Sequence, residues 1–164
     1  MQSDPEAGSE MTLVSYLALL TVEDIPSLQK LEGETHLSFW GAEHYRRFLE
    51  EFPEYFGCKA VVINDGGCRD LAGFYLARSL FENLEILKVG VYPEYQRQGI
   101  GTQLMESAYG EGIRRGCKRC FLEVRKSNQN AVQFYYTHKF KIAGTRLNYY
   151  SAPVEDAWIM ERNL

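Results

Sequence analysis

The 164-residue chain contains no apolar run that approaches the roughly 18 residues needed to cross a bilayer, so no membrane partner is expected. It lacks an excess of basic charge. Its 18 Lys and Arg against 22 Asp and Glu leave a net charge of −4. General nucleic-acid binding wants a basic face, so none is expected here. Cysteines number only four (Cys58, Cys68, Cys117 and Cys120). Cys117-Lys-Arg-Cys120 is a CxxC, but a structural zinc would need Cys58 and Cys68 brought to the same point, and nothing in their spacing demands it. Strand alternation would also send Cys117 and Cys120, three residues apart, to opposite faces. They read as reduced structural thiols, and no metal site is expected. No repeat, low-complexity tract or linker divides the chain. Residues 12–164 are therefore expected to form one domain, and residues 1–11 a flexible leader. That leader is polar and acidic, the opposite of a signal peptide, which points to the cytoplasm.

What is present fits a soluble globular domain: 45% apolar and 13% aromatic residues, enough for a real core. Strand-like runs cover 12–20, 59–64, 71–80, 84–92, 118–125, 140–149 and 154–161. Asp65-Gly66-Gly67 is a strong hairpin signal between the second and third of these. Helical patterns cover 25–31, 42–51, 102–115 and 130–138. Thr21 is placed as an N-cap ahead of acids in the first turn. The 102–115 helix puts Leu104, Met105, Ala108 and Ile113 on one face. The order βααβββαβαββ mixes antiparallel strands with a helical crossover, so the fold class is α+β.

The most informative stretch is Val89-Gly90-Val91-Tyr92-Pro93-Glu94-Tyr95-Gln96-Arg97-Gln98-Gly99-Ile100-Gly101. A strand stops at a proline, a polar turn with two glycines follows, and a helix begins. First-turn amides have no intrahelical partner, and the helix dipole favours an anion there, so this is how a backbone holds a phosphate. The P-loop string GxxxxGK[ST] is absent. The dinucleotide fingerprint GxGxxG fails, because Leu104 stands at the third glycine position. Alone, the turn is an anion site of open ownership or an ordinary tight connection.

Gln96-Arg97-Gln98-Gly99-Ile100-Gly101 also fits the pattern Gln/Arg-x-x-Gly-x-Gly/Ala, and here the chain resembles the GCN5-related N-acetyltransferases (GNAT family). Four blocks extend the resemblance to the bacterial RimI group, the ribosomal-protein-alanine N-acetyltransferases. These are 91–101, Leu122-Glu-Val-Arg-Lys-Ser-Asn128, Ala131 through Tyr135 to Phe140, and Arg146-Leu-Asn-Tyr-Tyr150 with Glu155-Asp-Ala157. They lie in register over residues 84–164, while the first half matches only in element order. The resemblance implies a single mixed sheet of about seven strands with about four helices on its faces, split between the two central strands. It implies acetyl-CoA as co-substrate and a protein amino terminus, that of a ribosomal protein, as acceptor. The protein is expected to be a monomer or weak dimer.

The resemblance assigns the pyrophosphate to the backbone of Gln96, Arg97, Gln98, Gly99, Ile100, Gly101 and Thr102. Pantetheine would run along Val89 to Val91, with the Val91 N–H as oxyanion donor. Gly90 reads either as a bulge residue or as a glycine tolerated in a strand. Glu123 is the candidate base, a lone carboxylate in an apolar strand; by alternation alone it could equally face solvent. An α-amine has a pKa near 8, against about 10.4 for lysine, so it offers a sizeable neutral fraction near pH 7. Tyr135 is the candidate acid for the leaving thiolate, with Tyr136 its rival, and Asn128 could cap the following helix or bond the cofactor. Trp40, Tyr149 and Tyr150 are candidates for the peptide entrance, or for hairpin packing.

Two features depart from the family pattern. Lys139 stands where the family has glycine before Phe140, which implies an altered or strained helix exit. Ser38-Phe39-Trp40 stands where the RimI group commonly has Pro-Trp. Alternatives are a GNAT enzyme for another amine (other amino termini, lysine or a small metabolite) and a catalytically inactive acyl-CoA-binding module.

Overall fold

The computed structural model describes residues 14–35, 37–63 and 66–164. The leader 1–11 and the first part of the 12–20 strand lie outside the described residues, as does Asp65 of the expected hairpin turn. Seven strands form one sheet in the order β1-β2-β3-β4-β5-β7-β6. They are β1 (Val14–Leu19), β2 (Tyr55–Ile63), β3 (Arg69–Leu80), β4 (Asn83–Val91), β5 (Arg119–Arg125), β6 (Lys141–Ser151) and β7 (Val154–Asn163). β1 to β4 form an antiparallel meander, β5 joins β4 in parallel after a helical crossover, and the β6–β7 hairpin adds to β5 through β7. β2 starts four residues earlier than its apolar run suggests, because residues 55–58 pair with residues 75–78 of β3.

Helices α1 (Ile25–Glu34) and α2 (Ala42–Glu50) cover one face of the sheet, and α3 (Ile100–Arg114) and α4 (Gln129–Thr137) belong to the other. Ahead of α1, the Asp24 carboxylate accepts the Thr21 N–H at 2.9 Å across a 3₁₀ turn. The same carboxylate binds Lys59 Nζ at 2.6 Å, fastening the start of α1 to β2. The α3 core stripe is Leu104, Met105, Ala108, Tyr109 and Gly112. Ile113, expected on that face, is instead 56% exposed. Gly112 takes the inward position, where a Cβ would lie 2.8 Å from Leu84 Cδ2 and would push that side chain aside, so glycine favours the close approach of the helix to β4. Cys117 and Cys120 do not point apart as alternation suggested. The strand begins only at Arg119, and both thiols pack in the α3 core. No described helix is long and apolar enough to cross a membrane.

Candidate active site

The two central strands separate. β4 and β5 pair only from Asn83–Arg119 to Ile86–Leu122. Beyond that, β4 continues against β3 to Val91 and β5 against β7 to Arg125. A bulge marks the fork on β4: Leu76 pairs with Lys88 and Ala77 with Ile86, leaving Leu87 as the extra residue. The bulge is thus at Leu87 and not at Gly90, which pairs in register with Phe74. Gly90 is glycine for another reason, since a Cβ there would meet Leu31 at 2.6 Å and Leu37 at 2.7 Å. An extra residue reverses the side-chain phase. Leu84 and Ile86 face the α3 core, and so do Val89 and Val91, while Lys88 is turned to the α1 face.

A cavity of about 220 Å³ fills the fork. It brings together seven residues singled out from the sequence: Trp40, Val89, Glu123, Asn128, Tyr135, Tyr149 and Tyr150. Val91 and the 96–102 turn do not line it; they continue from the end of β4 to the start of α3.

In that turn, Pro93–Tyr95 form a 3₁₀ turn, and Gln96, Arg97, Gln98 and Gly99 are exposed. Gly99 has φ of +82°, a left-handed conformation that glycine adopts without Cβ strain, and it caps α3. α3 begins at Ile100, two residues earlier than its pattern suggests, so Gly101 and Thr102 stand inside its first turn. A Cβ on Gly101 would press on Phe134 of α4 at 3.2 Å. Arg97 also has positive φ, +62°, which its residue type did not announce. The Gln96 side chain donates to the Val91 carbonyl and Gln98 to the Glu94 carbonyl, both at 2.9 Å. Both amides therefore brace the turn itself. The backbone amides at the head of α3 precede the first intrahelical bond, Gln103 N–H to the Gly99 carbonyl at 3.0 Å, which leaves a donor set suited to an anion.

Alternation on β5 sends Cys120, Leu122 and Val124 into the core and Glu123 to the opposite face. That face is a wall of the cavity and not open solvent; the Glu123 side chain is only 17% exposed. Its carboxylate pairs with the Arg146 guanidinium and accepts a hydrogen bond from the Tyr149 hydroxyl, which pushes the Tyr149 phenol up to about 12. Tyr149 reaches it because β6 bulges over residues 147–149. Arg146 pairs with Ala157 and Tyr150 with Glu155, Asn148 has φ of +50°, and the Asn148 N–H is held by the Asp156 carboxylate at 2.9 Å. Tyr150 lies beneath the Arg125 guanidinium, 4.1 Å from its ring centroid.

Tyr135 is buried, while its rival Tyr136 is 43% exposed. Burial raises the Tyr135 pKa above the ordinary phenol value, so it holds its proton. The helix exit behind it keeps the glycine geometry with a lysine. Lys139 has φ of +65°, its N–H donates to the Tyr136 carbonyl at 2.9 Å, and the Phe140 N–H donates to the Tyr135 carbonyl at 3.0 Å. That is a full Schellman pair, with the Phe140 ring 5.8 Å from that of Tyr135. The exit is therefore strained but not altered, and Tyr135 is held in place. Asn128 caps α4, its side chain accepting the Ala131 N–H at 3.2 Å.

Residues 25–140, which span α1 to the end of α4, match the family described as "Acetyltransferase (GNAT) family". The chain belongs to the GNAT acetyltransferase family. It is 30% identical over 154 residues to the [ribosomal protein bS18]-alanine N-acetyltransferase of Escherichia coli K12, covering 90% of this chain and 96% of that protein. The crystal structure of the E. coli ribosomal-protein-S18-alanine N-acetyltransferase superposes with a TM-score of 0.77 at 28% identity, over 92% of this chain and 94% of that one. Arabidopsis thaliana NAA60 in complex with acetyl-CoA shares the fold, with a TM-score of 0.78 at 18% identity, over 92% of this chain and all of that one.

This GNAT chain also carries a buried cluster that the sequence reading passed over. Lys88 and Glu32 are paired at 4% and 1% side-chain exposure. The Glu32 carboxylate also accepts the Tyr45 hydroxyl at 2.5 Å and the Trp40 N–H at 3.1 Å. Lys88 donates to the Ser38 carbonyl as well and lies 4.6 Å from the Trp40 ring centroid. The available signal was the one used for Glu123: a charge inside an apolar strand, Ile86-Leu87-Lys88-Val89.

Proposed function

We propose that this GNAT acetyltransferase moves the acetyl group of acetyl-CoA to a protein α-amine, that of an amino-terminal alanine on a ribosomal protein. Glu123 and Tyr135 carry this reading: a carboxylate and a proton-retaining phenol face one cavity in the sheet fork, behind a glycine turn built for an anion. The 30% identity to an alanine N-acetyltransferase, over nearly the whole of both chains, supports the acceptor class.

The turn suits the donor. Gly99 has open space where a Cβ would point, so the backbone of 96–102 can approach a pyrophosphate. Val89, Val91 and Asn128 would flank the pantetheine arm, with the Val91 N–H offered to the developing oxyanion. Bound acetyl-CoA supplies a thioester carbonyl open to attack by an amine. Glu123, directly or through a water, takes the proton from that amine as the C–N bond forms. Tyr135 gives its proton to the sulfur as the C–S bond breaks. Burial raises the phenol's pKa, so donation to a free thiolate is uphill and is driven by the charge that collects on sulfur as the C–S bond breaks. Tyr149, Tyr150 and Trp40 would receive the peptide. Residues 12–164 would act as one catalytic domain with 1–11 as a leader, in the cytoplasm, as a monomer or weak dimer.

The test is thiol release from acetyl-CoA with three acceptors: a hexapeptide beginning Ala, the same peptide amino-terminally blocked but carrying an internal lysine, and spermidine. Turnover of the first alone is expected. Turnover of lysine or spermidine without the alanine peptide would replace the acceptor assignment. Thiol release with none of them would favour a binding module.

A further inference from the structure

The buried Lys88–Glu32 pair has no evident role in folding economy. A buried ion pair is costly to desolvate, and apolar side chains of similar volume often replace one without loss of stability. Its location argues for another role. Lys88 is the residue whose direction the Leu87 bulge reverses, so the same defect that opens the fork also sends this ammonium across to α1. There it meets a carboxylate that simultaneously holds α2 through Tyr45 and the 37–41 segment through the Trp40 N–H. Lys88 adds a second hold on that segment at the Ser38 carbonyl and packs its charge over the Trp40 ring. The indole also stacks on His44 of α2, at 4.0 Å and 8°. Gln29 of α1 closes the set by donating to the Trp40 carbonyl at 3.1 Å. Trp40, Ser38 and Lys88 all line the cavity that Glu123 and Tyr135 face.

We propose that Lys88 and Glu32 are positioning residues that lock the Trp40 segment to the β4 bulge and so fix the width of the acceptor side of the cavity. The pair touches no reacting atom. It makes the shape of the acceptor wall depend on the strand geometry that shapes the donor side, so neither wall can shift alone. The acceptor role rests on the function proposed above; the locking itself does not.

The experiment therefore has two readouts. In a Trp158→Phe background, Trp40 is the only tryptophan, and acrylamide quenching reports its shielding with no substrate present. Lys88→Met should raise the Trp40 quenching constant two- to threefold, and Lys88→Arg should restore most of the shielding. In steady state with the Ala hexapeptide, Lys88→Met should raise the peptide KM about tenfold, with kcat and the acetyl-CoA KM within twofold of wild type. Glu32→Gln/Lys88→Met, which buries no unpaired charge, serves if the single variant fails to fold, and its melting temperature should stay near wild type. Unchanged quenching in a folded variant overturns the proposal. So does a rise in the acetyl-CoA KM that matches the rise for peptide. If the wild-type protein ignores the Ala hexapeptide, the acceptor assignment falls while quenching still decides the lock.

Discussion

The turn ahead of α3, which continues from the end of β4, and the cavity wall made by residues 37–41 and 146–150 are built from different materials. The turn is backbone: a left-handed Gly99, a Cβ-free Gly101 against Phe134, and glutamine side chains bonded back onto carbonyls of the turn. The wall is side chains: Glu32, Lys88, Trp40, Arg146 and Tyr149, joined by contacts that span up to 56 residues of sequence. A backbone site can be specified by a short string, because glycine adopts the required φ and permits the close approach without a Cβ penalty. A side-chain wall needs partners that the fold must first bring together.

Glu123 and Tyr135, which face the cavity, are where this contrast can be broken most decisively. Glu123→Gln should lower thiol release about 10²- to 10³-fold, with acetyl-CoA binding by calorimetry unchanged; near wild-type turnover would remove the base role. Tyr135→Phe should cost about 10²-fold in kcat with no change in melting, since the ring contact with Phe140 is kept. An equal loss of acetyl-CoA affinity would make Tyr135 a packing residue instead.

Smaller effects distinguish the backbone part. Gly99→Ala places a Cβ at φ +82° and should raise the acetyl-CoA KM about tenfold while costing about 1 kcal/mol of stability, leaving the peptide KM alone. Lys139→Gly should do the reverse at the α4 exit. Relief of the +65° strain is expected to add about 0.5–1 kcal/mol and raise Tm by about 2 °C, with kcat unchanged. A loss of activity there would mean that Tyr135 needs the strained exit.

The finest test concerns the wall. The Tyr149 phenol, held near 12 by the Glu123 carboxylate and by burial instead of at its ordinary 10, is more protonated in the folded state than in the unfolded one. The stability this lends is complete below about pH 10 and is lost as pH rises through about 12. Tyr135 and other buried phenols also ionise late, so the readout is a difference: the ultraviolet titration of Glu123→Gln should show one tyrosine fewer in the late-ionising set than wild type, with that tyrosine moved back toward 10. A titration indifferent to Glu123→Gln would separate the two groups.

Much of the fold was legible because most of its elements obey one period throughout. α3 shows its helical stripe and β5 its alternation, and the β6–β7 hairpin runs where its two apolar runs predicted it. The failures fall where a single residue changes the phase or ends an element. Ile113 yielded its inward place to Gly112, and β5 started after Cys117. The β4 bulge appeared at Leu87, where no glycine marked it. Arg97, Lys139 and Asn148 took left-handed conformations that only surrounding hydrogen bonds and packing could impose on them.

By itself the sequence determined the glycine turn, the family it belongs to and the two candidate proton carriers, because each sits in a local string whose chemistry does not depend on distant partners. Only the tertiary structure decided that Glu123 faces a cavity wall, that Arg146 and Tyr149 occupy its carboxylate, and that Lys88 reaches Glu32. The physical reason is that a side chain's direction at a bulge, and the burial that gives its charge meaning, are set by pairing across the sheet and by packing between elements far apart in the chain.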